Sequence, residues 1–138
     1  MFSLVKEIRS KSNQLHFRRW SLLKTPWFNL YLHKIYKSDE DKHPHNHPWR
    51  WFYSVILWGS YTECLCDYLD EYSQTITAKR GFLSVAKRDW SQFHKIQLDR
   101  PVLTLVVTSP DWEPWGYLVR RQYIGFKEYR RRKNEGEL

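Results

Sequence analysis

A chain of 138 residues is long enough to close one hydrophobic core and too short for two. Aromatic side chains make up 17% of it, which excludes a disordered polar segment. The formal charge of +8 belongs to the ends rather than the body: residues 1–24 carry six basic and one acidic side chain, residues 120–138 seven and three, and residues 25–119 ten and eleven, which argues against a folded basic face of the kind that reads nucleic acid.

Phe2 to Arg9 places apolar residues at 2, 4, 5 and 8, a spacing that predicts a short amphipathic helix, and a polar Ser-Lys-Ser-Asn-Gln stretch follows. The segment lacks the uninterrupted apolar run and small-residue cleavage site of a secretory signal. No stretch of about 18 apolar residues exists, so a cytoplasmic protein with no membrane partner is expected. From Trp27 to Tyr36 the run WFNLYLHKIY, entered through Thr25-Pro26, predicts a strand, and a charged loop over 37–42 follows it.

His43-Pro44-His45-Asn46-His47-Pro48 then opens into the aromatic run Trp49 to Trp58, which reads as a loop becoming a nearly continuous apolar strand that stops at Gly59. A second strand over 61–68 follows after Ser60 alone, predicting a hairpin or sharp corner. Cys64 and Cys66 share one face of that strand, where a mutual disulfide would be strained, so reduced thiols serving as buried filler are expected. Further β-like runs at 74–78, 82–86, 94–98, 102–108 and 115–120 are separated by short turn segments, the mark of a sandwich or closed barrel. The tail over 126–138 predicts a short helix or frayed end.

Four histidines carry the chemistry. His43, His45 and His47 alternate, so an extended backbone sends their rings to one side, and two such rings can converge on one ion. His94 opens a later β-like run that a barrel can bring opposite them. The plainer reading is that His45 and His47 cap a turn.

A His-x-His pair at the start of one strand with a distant His on another resembles the cupin superfamily, over roughly residues 30–107. In the first cupin motif a Glu follows the His-x-His pair and a Gly comes later; here His45-Asn46-His47 opens it, the Glu position falls on Phe52, and the pattern closes on Gly59. The second motif runs from Gly through a proline-containing turn to His and then Asn. Gly81 and His94 match its ends, the connection holds Lys87-Arg88-Asp89, and Leu98 stands at the Asn position.

The resemblance implies an all-β, double-stranded β-helix (jelly-roll) barrel over about 27–120, within a single domain over 1–138 that has short helical segments at both ends. It also implies one divalent metal ion on His45, His47 and His94, Fe(II) favoured, with Mn, Ni or Zn as alternatives. A three-histidine set without a carboxylate leaves the full charge of the ion on the site, favours an anionic co-ligand, and is similar to the three-histidine thiol dioxygenases of the superfamily. His43 is a partner that tunes a ligand, a replacement ligand, or a loop residue.

The function implied is a non-haem Fe(II) dioxygenase or oxygenase acting on a small molecule. Arg50 would clamp a carboxylate or phosphate, or face solvent, and Tyr53 would orient the substrate. Trp49, Trp51, Phe52, Tyr53 and Trp58 serve as core or as pocket lining. Glu63 lies too far past Gly59 to fill the Glu position. Two other functions are expected to compete: a non-catalytic cupin that binds a small molecule or metal, and a nucleic-acid accessory protein that binds through its basic ends. An open sheet edge with many aromatics favours a homodimer.

Overall fold

A computed structural model describes residues 3–10, 12–39, 43–67, 76–120 and 122–138. A six-stranded sheet has the order β1-β2-β3-β9-β4-β7, formed by β1 (Ser3–Arg9), β2 (Leu15–Lys24), β3 (Asn29–Ile35), β4 (Trp51–Trp58), β7 (Val85–Asp89) and β9 (Val102–Thr108). A three-stranded sheet has the order β6-β5-β8, with β5 (Tyr61–Asp67), β6 (Ile76–Arg80) and β8 (Gln92–Gln97). The hairpin β10 (Gly116–Val119) and β11 (Gln122–Gly125) leads into helix α1 (Phe126–Asn134), and the strand pairs are antiparallel throughout.

Alternation explains how the strands close a core. In β9 every second residue, from Val102 through Thr104 and Val106 to Thr108, is buried, as period-2 side chains on a half-covered sheet require. Ile56 and Val102 of the large sheet pack with Tyr61 and Ile96 of the small one, and Trp49, Phe52 and Val106 form a second cluster. Passage between the sheets turns on Gly59, whose φ is +88° and where a Cβ would come within 2.9 Å of the Pro101 carbonyl oxygen, so only glycine fits this corner.

The strands expected at 27–36, 61–68, 94–98, 102–108 and 115–120 form with shifted ends, except β9, which keeps both. The run expected at 82–86 lies later, because Gly81 to Ser84 form a turn with Leu83 at φ 61° and the strand begins at Val85. Residues 74 and 75, at the start of another expected run, and residue 68 lie outside the described residues.

The amino-terminal end needs correction. Residues 3–9 form a strand, not a helix, and their apolar side chains stay largely in solvent: Leu4, Val5 and Ile8 are 49%, 53% and 43% exposed, with Ile8 at the cavity rim. What holds them is backbone pairing with β2, a ten-residue strand in a segment where no element was expected. Between them Ser10 N–H donates to the Gln14 carbonyl at 2.8 Å and Asn13 N–H to the Ser10 carbonyl at 2.9 Å, with Asn13 in the left-handed region. The large sheet therefore begins at β1, ahead of residue 27. The carboxy-terminal helix does form, anchored by buried Tyr129 stacking on Tyr117 with ring centroids 3.7 Å apart. No helix of the described residues is long and apolar enough to cross a membrane.

Candidate metal centre

The loop from His43 to Arg50 is laid between the small sheet and the β10–β11 hairpin. His45 and His94 exchange backbone hydrogen bonds at 2.9 and 2.8 Å, which fixes the loop histidine beside the strand histidine. Asn46 is fully buried and clamps the same loop. Its Nδ2 donates to the Trp90 carbonyl at 2.8 Å, and its Oδ1 accepts from Gly116 N–H at 2.7 Å. With Asn46 turned into the protein, its neighbours His45 and His47 both turn into the cavity.

The three rings form a nearly equilateral triangle: centroids lie 5.2 Å apart for His45–His47, 4.9 Å for His45–His94 and 5.1 Å for His47–His94. One donor nitrogen from each lies within 4.8 Å of the other two. His47 Nε2 and His94 Nε2 are 2.9 Å apart. Two imidazoles bound at right angles to one ion, each at about 2.1 Å, would place their nitrogens roughly 3 Å apart, so this pair fits a shared ion.

Glu63 sets the tautomer of His94. Its Oε2 lies 2.7 Å from His94 Nδ1, and its Oε1 accepts from Arg88 Nη2 at 2.5 Å and Arg80 Nε at 3.0 Å. Burial alone would raise the Glu63 carboxyl, but hydrogen bonds and charge from His94 and Arg88 outweigh it and hold the group well below the usual carboxylate range. An ionised Glu63 is only an acceptor, so His94 Nδ1 carries the proton that faces it, and this contact points Nε2 at the cavity. His47 is partly buried at the cavity wall, and desolvation first, then the neighbouring His94 and His45, hold it well below its ordinary value, leaving it a neutral imidazole.

Other residues expected at the site stand elsewhere. His43 is outside the triangle, with Nδ1 3.0 Å from the Tyr129 hydroxyl. Arg50 and Tyr53 do not line the cavity: Arg50 is exposed, the solvent-facing alternative, with its guanidinium over Trp112 at 5.9 Å, and Tyr53 is exposed with Lys87 over its ring at 5.6 Å. Strand alternation turns Phe52 inward and Tyr53 outward. Trp49 and Phe52 wall the triangle, their rings 5.1 Å from that of His47, while Trp51 and Trp58 do not reach the cavity. Cys64 and Cys66 are free thiols on the strand parity opposite Glu63.

The cavity in front of the triangle measures about 440 Å³. Sequence reasoning passed over Asn46 and the cavity residues Arg19 and His33, and it set Glu63 aside on spacing. For Glu63 the available signal was parity: it shares the inward face of β5 with Tyr61.

No protein-family model and no curated protein matches the sequence. Solved structures do. Fe(II)-HppE with an alternative substrate superposes with a TM-score of 0.59 at 11% identity, covering 78% of this chain and 55% of that one. Hydroxypropylphosphonic acid epoxidase from S. wedmorenis gives a TM-score of 0.58 at 11% identity, with the same coverages of 78% and 55%. The capsular polysaccharide assembling protein CapF from Staphylococcus aureus gives 0.60 at 14% identity, over 83% of this chain and 30% of that one. The fold is an all-β cupin.

The chain spans about half the length of the epoxidase structures and a third or less of that CapF structure. Within the cupin barrel, Phe52 at the first-motif Glu position packs against His47, and Leu98 at the second-motif Asn position packs on the core. The carboxylate of the cluster instead comes from β5 and reaches His94 from behind.

Asn46→Ala is expected to loosen the loop that carries two of the three rings. It strands a buried N–H and a buried carbonyl, a cost of about 2–4 kcal/mol, visible in urea unfolding. Unchanged stability would mean that the His45–His94 backbone pair holds the loop unaided.

Proposed function

We propose that this chain is a metal-dependent cupin enzyme, a non-haem iron oxygenase acting on a small organic molecule. The observation that carries the reading is the triangle of His45, His47 and His94, three imidazole nitrogen donors converging at the wall of a cavity in a cupin barrel. A ferrous ion on three ligands would supply open positions for both O₂ and substrate. HppE, a structure of the same fold, is recorded as an Fe(II) protein, which supports iron over Mn, Ni or Zn.

The chain's own residues prepare that chemistry. Glu63 orients His94, Asn46 aims His45 and His47, and Trp49 and Phe52 form an apolar wall beside the donor nitrogens.

Metal content by mass spectrometry tests the reading on untagged protein, in wild type and in His45→Ala, His47→Ala and His94→Ala. About one equivalent of metal is expected in wild type, falling at least tenfold in each folded variant. A wild type that takes up neither Fe(II) nor Mn, Ni or Zn would defeat the proposal. Full ferrous loading with no oxygen uptake over a panel of small organic acids, amines and thiols would reduce it to a metal-binding barrel.

A further inference from the structure

A polar row crosses the inner face of the large sheet, away from the three histidines. In strand register Lys6 of β1 faces Arg19 of β2, Arg19 faces His33 of β3, and His33 faces Thr104 of β9. All four line the cavity. Like charges directly opposite one another on adjacent strands repel, so a Lys–Arg pair at this position needs a counter-charge.

No carboxylate of the described residues lies within salt-bridge distance of Lys6 or Arg19. On the same two strands Glu7 does pair, with Arg9 at 2.7 Å and Arg18 at 3.6 Å. Acid is thus available to these strands and is spent on other arginines. Seven basic and two acidic side chains line the cavity, and one of the acids, Glu63, is committed to Arg80, Arg88 and His94.

Arg19 is held ready rather than loose. Its Nε donates to His33 Nε2 at 2.9 Å, and its guanidinium lies over the rings of Tyr31, Trp49 and Phe17 at 5.0, 5.1 and 5.6 Å. That geometry occupies one N–H and leaves the terminal nitrogens of the fork for a planar or tetrahedral oxyanion. Lys6 Nζ sits over Trp115 at 5.8 Å on the same cavity wall. Desolvation at the cavity wall, then the charges of Arg19 and Arg130, bring Lys6 down to about 8, although the side chain keeps contact with solvent on the edge strand. Trp49 joins the row to the triangle, stacking on His47 on one hand and receiving Arg19 on the other.

We propose that Lys6 and Arg19 form a receptor for the anionic head, carboxylate or phosphonate, of a small molecule whose remaining part reaches the three histidines. Arg19 binds the head bidentately, Lys6 supplies the second charge, and His33 positions Arg19. The inference names a substrate class for the proposed enzyme and rests on that reading for the ligand's far end, while the oxyanion receptor itself stands without the metal.

The test is calorimetric binding of benzoate, phenylphosphonate and the neutral benzamide, to chelator-treated and to Fe(II)-loaded protein under argon. At least one anion is expected to bind both forms at least tenfold more tightly than benzamide, and the tighter of the two acids tells whether a planar or a tetrahedral head fits. Arg19→Met should weaken that anion about tenfold or more, the scale of a lost charge-assisted pair. Lys6→Met, on the exposed edge strand, should weaken it severalfold and guards against misfolding of Arg19→Met. Arg18→Met, which removes an equal charge outside the cavity, should leave binding unchanged.

Equal binding of acid and amide, binding unchanged in both Lys6→Met and folded Arg19→Met, or no binding of either acid overturns the receptor. Binding only to loaded protein, lost in His94→Ala and kept in Arg19→Met, would put the anion on the metal, refuting the receptor while the enzyme reading survives. Binding to a protein that takes up no metal, lost with Arg19, would leave the receptor standing and defeat the enzyme reading.

Discussion

Glu63→Gln is expected to lower stability by about 3–5 kcal/mol and metal affinity roughly 10- to 100-fold. The two losses have different origins. Stability falls because Arg88, buried beside Glu63 and accompanied by Arg80, would be left with its charge uncompensated in a poorly solvated place. Removing one member of a buried ion pair costs more than the pair contributes, since the survivor keeps its desolvation penalty. Metal affinity falls because a glutamine no longer requires a proton on His94 Nδ1. Its amide can offer either an acceptor or a donor there, and the tautomer that frees Nε2 loses its preference. The double variant Glu63→Gln/Arg88→Met separates the effects: urea unfolding of the metal-free protein should recover part of the stability, while chelator competition should show metal affinity still low. Metal affinity within twofold of wild type in Glu63→Gln would sink the orienting role.

What the sequence made legible followed the range of the interactions. β9 was readable in full because VLTLVVT is a short run of branched residues bounded by Pro101 and Pro110, and nothing distant is needed to see it. His45, His47 and His94 stood out by chemistry, since an alternating His-x-His pair and a strand-borne His carry the same meaning in any barrel. Glu63 did not, because its link to His94 is diagonal: β5 and β8 align Leu65 with His94 and Glu63 with Ile96, so the contact exists only once two strands find their register. Spacing from Gly59 along the chain carries no information about that.

The amino-terminal strands failed for a related reason. Apolar residues at 4, 5 and 8 suit a helix, and in the structure all seven residues of the strand are exposed, so no burial pattern betrays it. In β2 the inward positions include Arg19, and a strand whose cavity face is charged shows no apolar alternation. The positive charge of the two ends therefore stood apart from the site in the sequence, whereas Lys6, Arg19 and, from the helix, Arg130 are part of the cavity wall. Local rules break down where a face is built for a ligand instead of a core.

Stability of the chelator-treated protein is expected to fall continuously as pH drops from about 7 to about 5, ahead of any carboxylate titration. Burial first, then the charges of Arg19 and Lys6, hold His33 well below its ordinary 6.5. His47 is lowered in the same direction by burial and by its histidine neighbours. In the unfolded chain both take up protons near 6.5, while in the folded protein both stay neutral, so the unfolded state binds more protons throughout this window. The stabilisation is therefore complete above 6.5 and is lost as the pH falls. Each such proton is worth about 1.4 kcal/mol per pH unit, or roughly 2.7 for the pair, against a total of about 5–15 kcal/mol for an ordinary domain. Below about 4.5 Glu63 adds a loss of the same sign, because the unfolded carboxyl protonates and the folded one stays ionised. Urea midpoints across the range measure the slope, and His33→Gln isolates one proton of it: the amide oxygen still accepts from Arg19 Nε, and the slope should drop by about half. A flat wild-type profile, or an undiminished slope in His33→Gln, would mean that these imidazoles are charged in the folded protein, and with it that the cavity holds more positive charge than Arg19 and Lys6 supply.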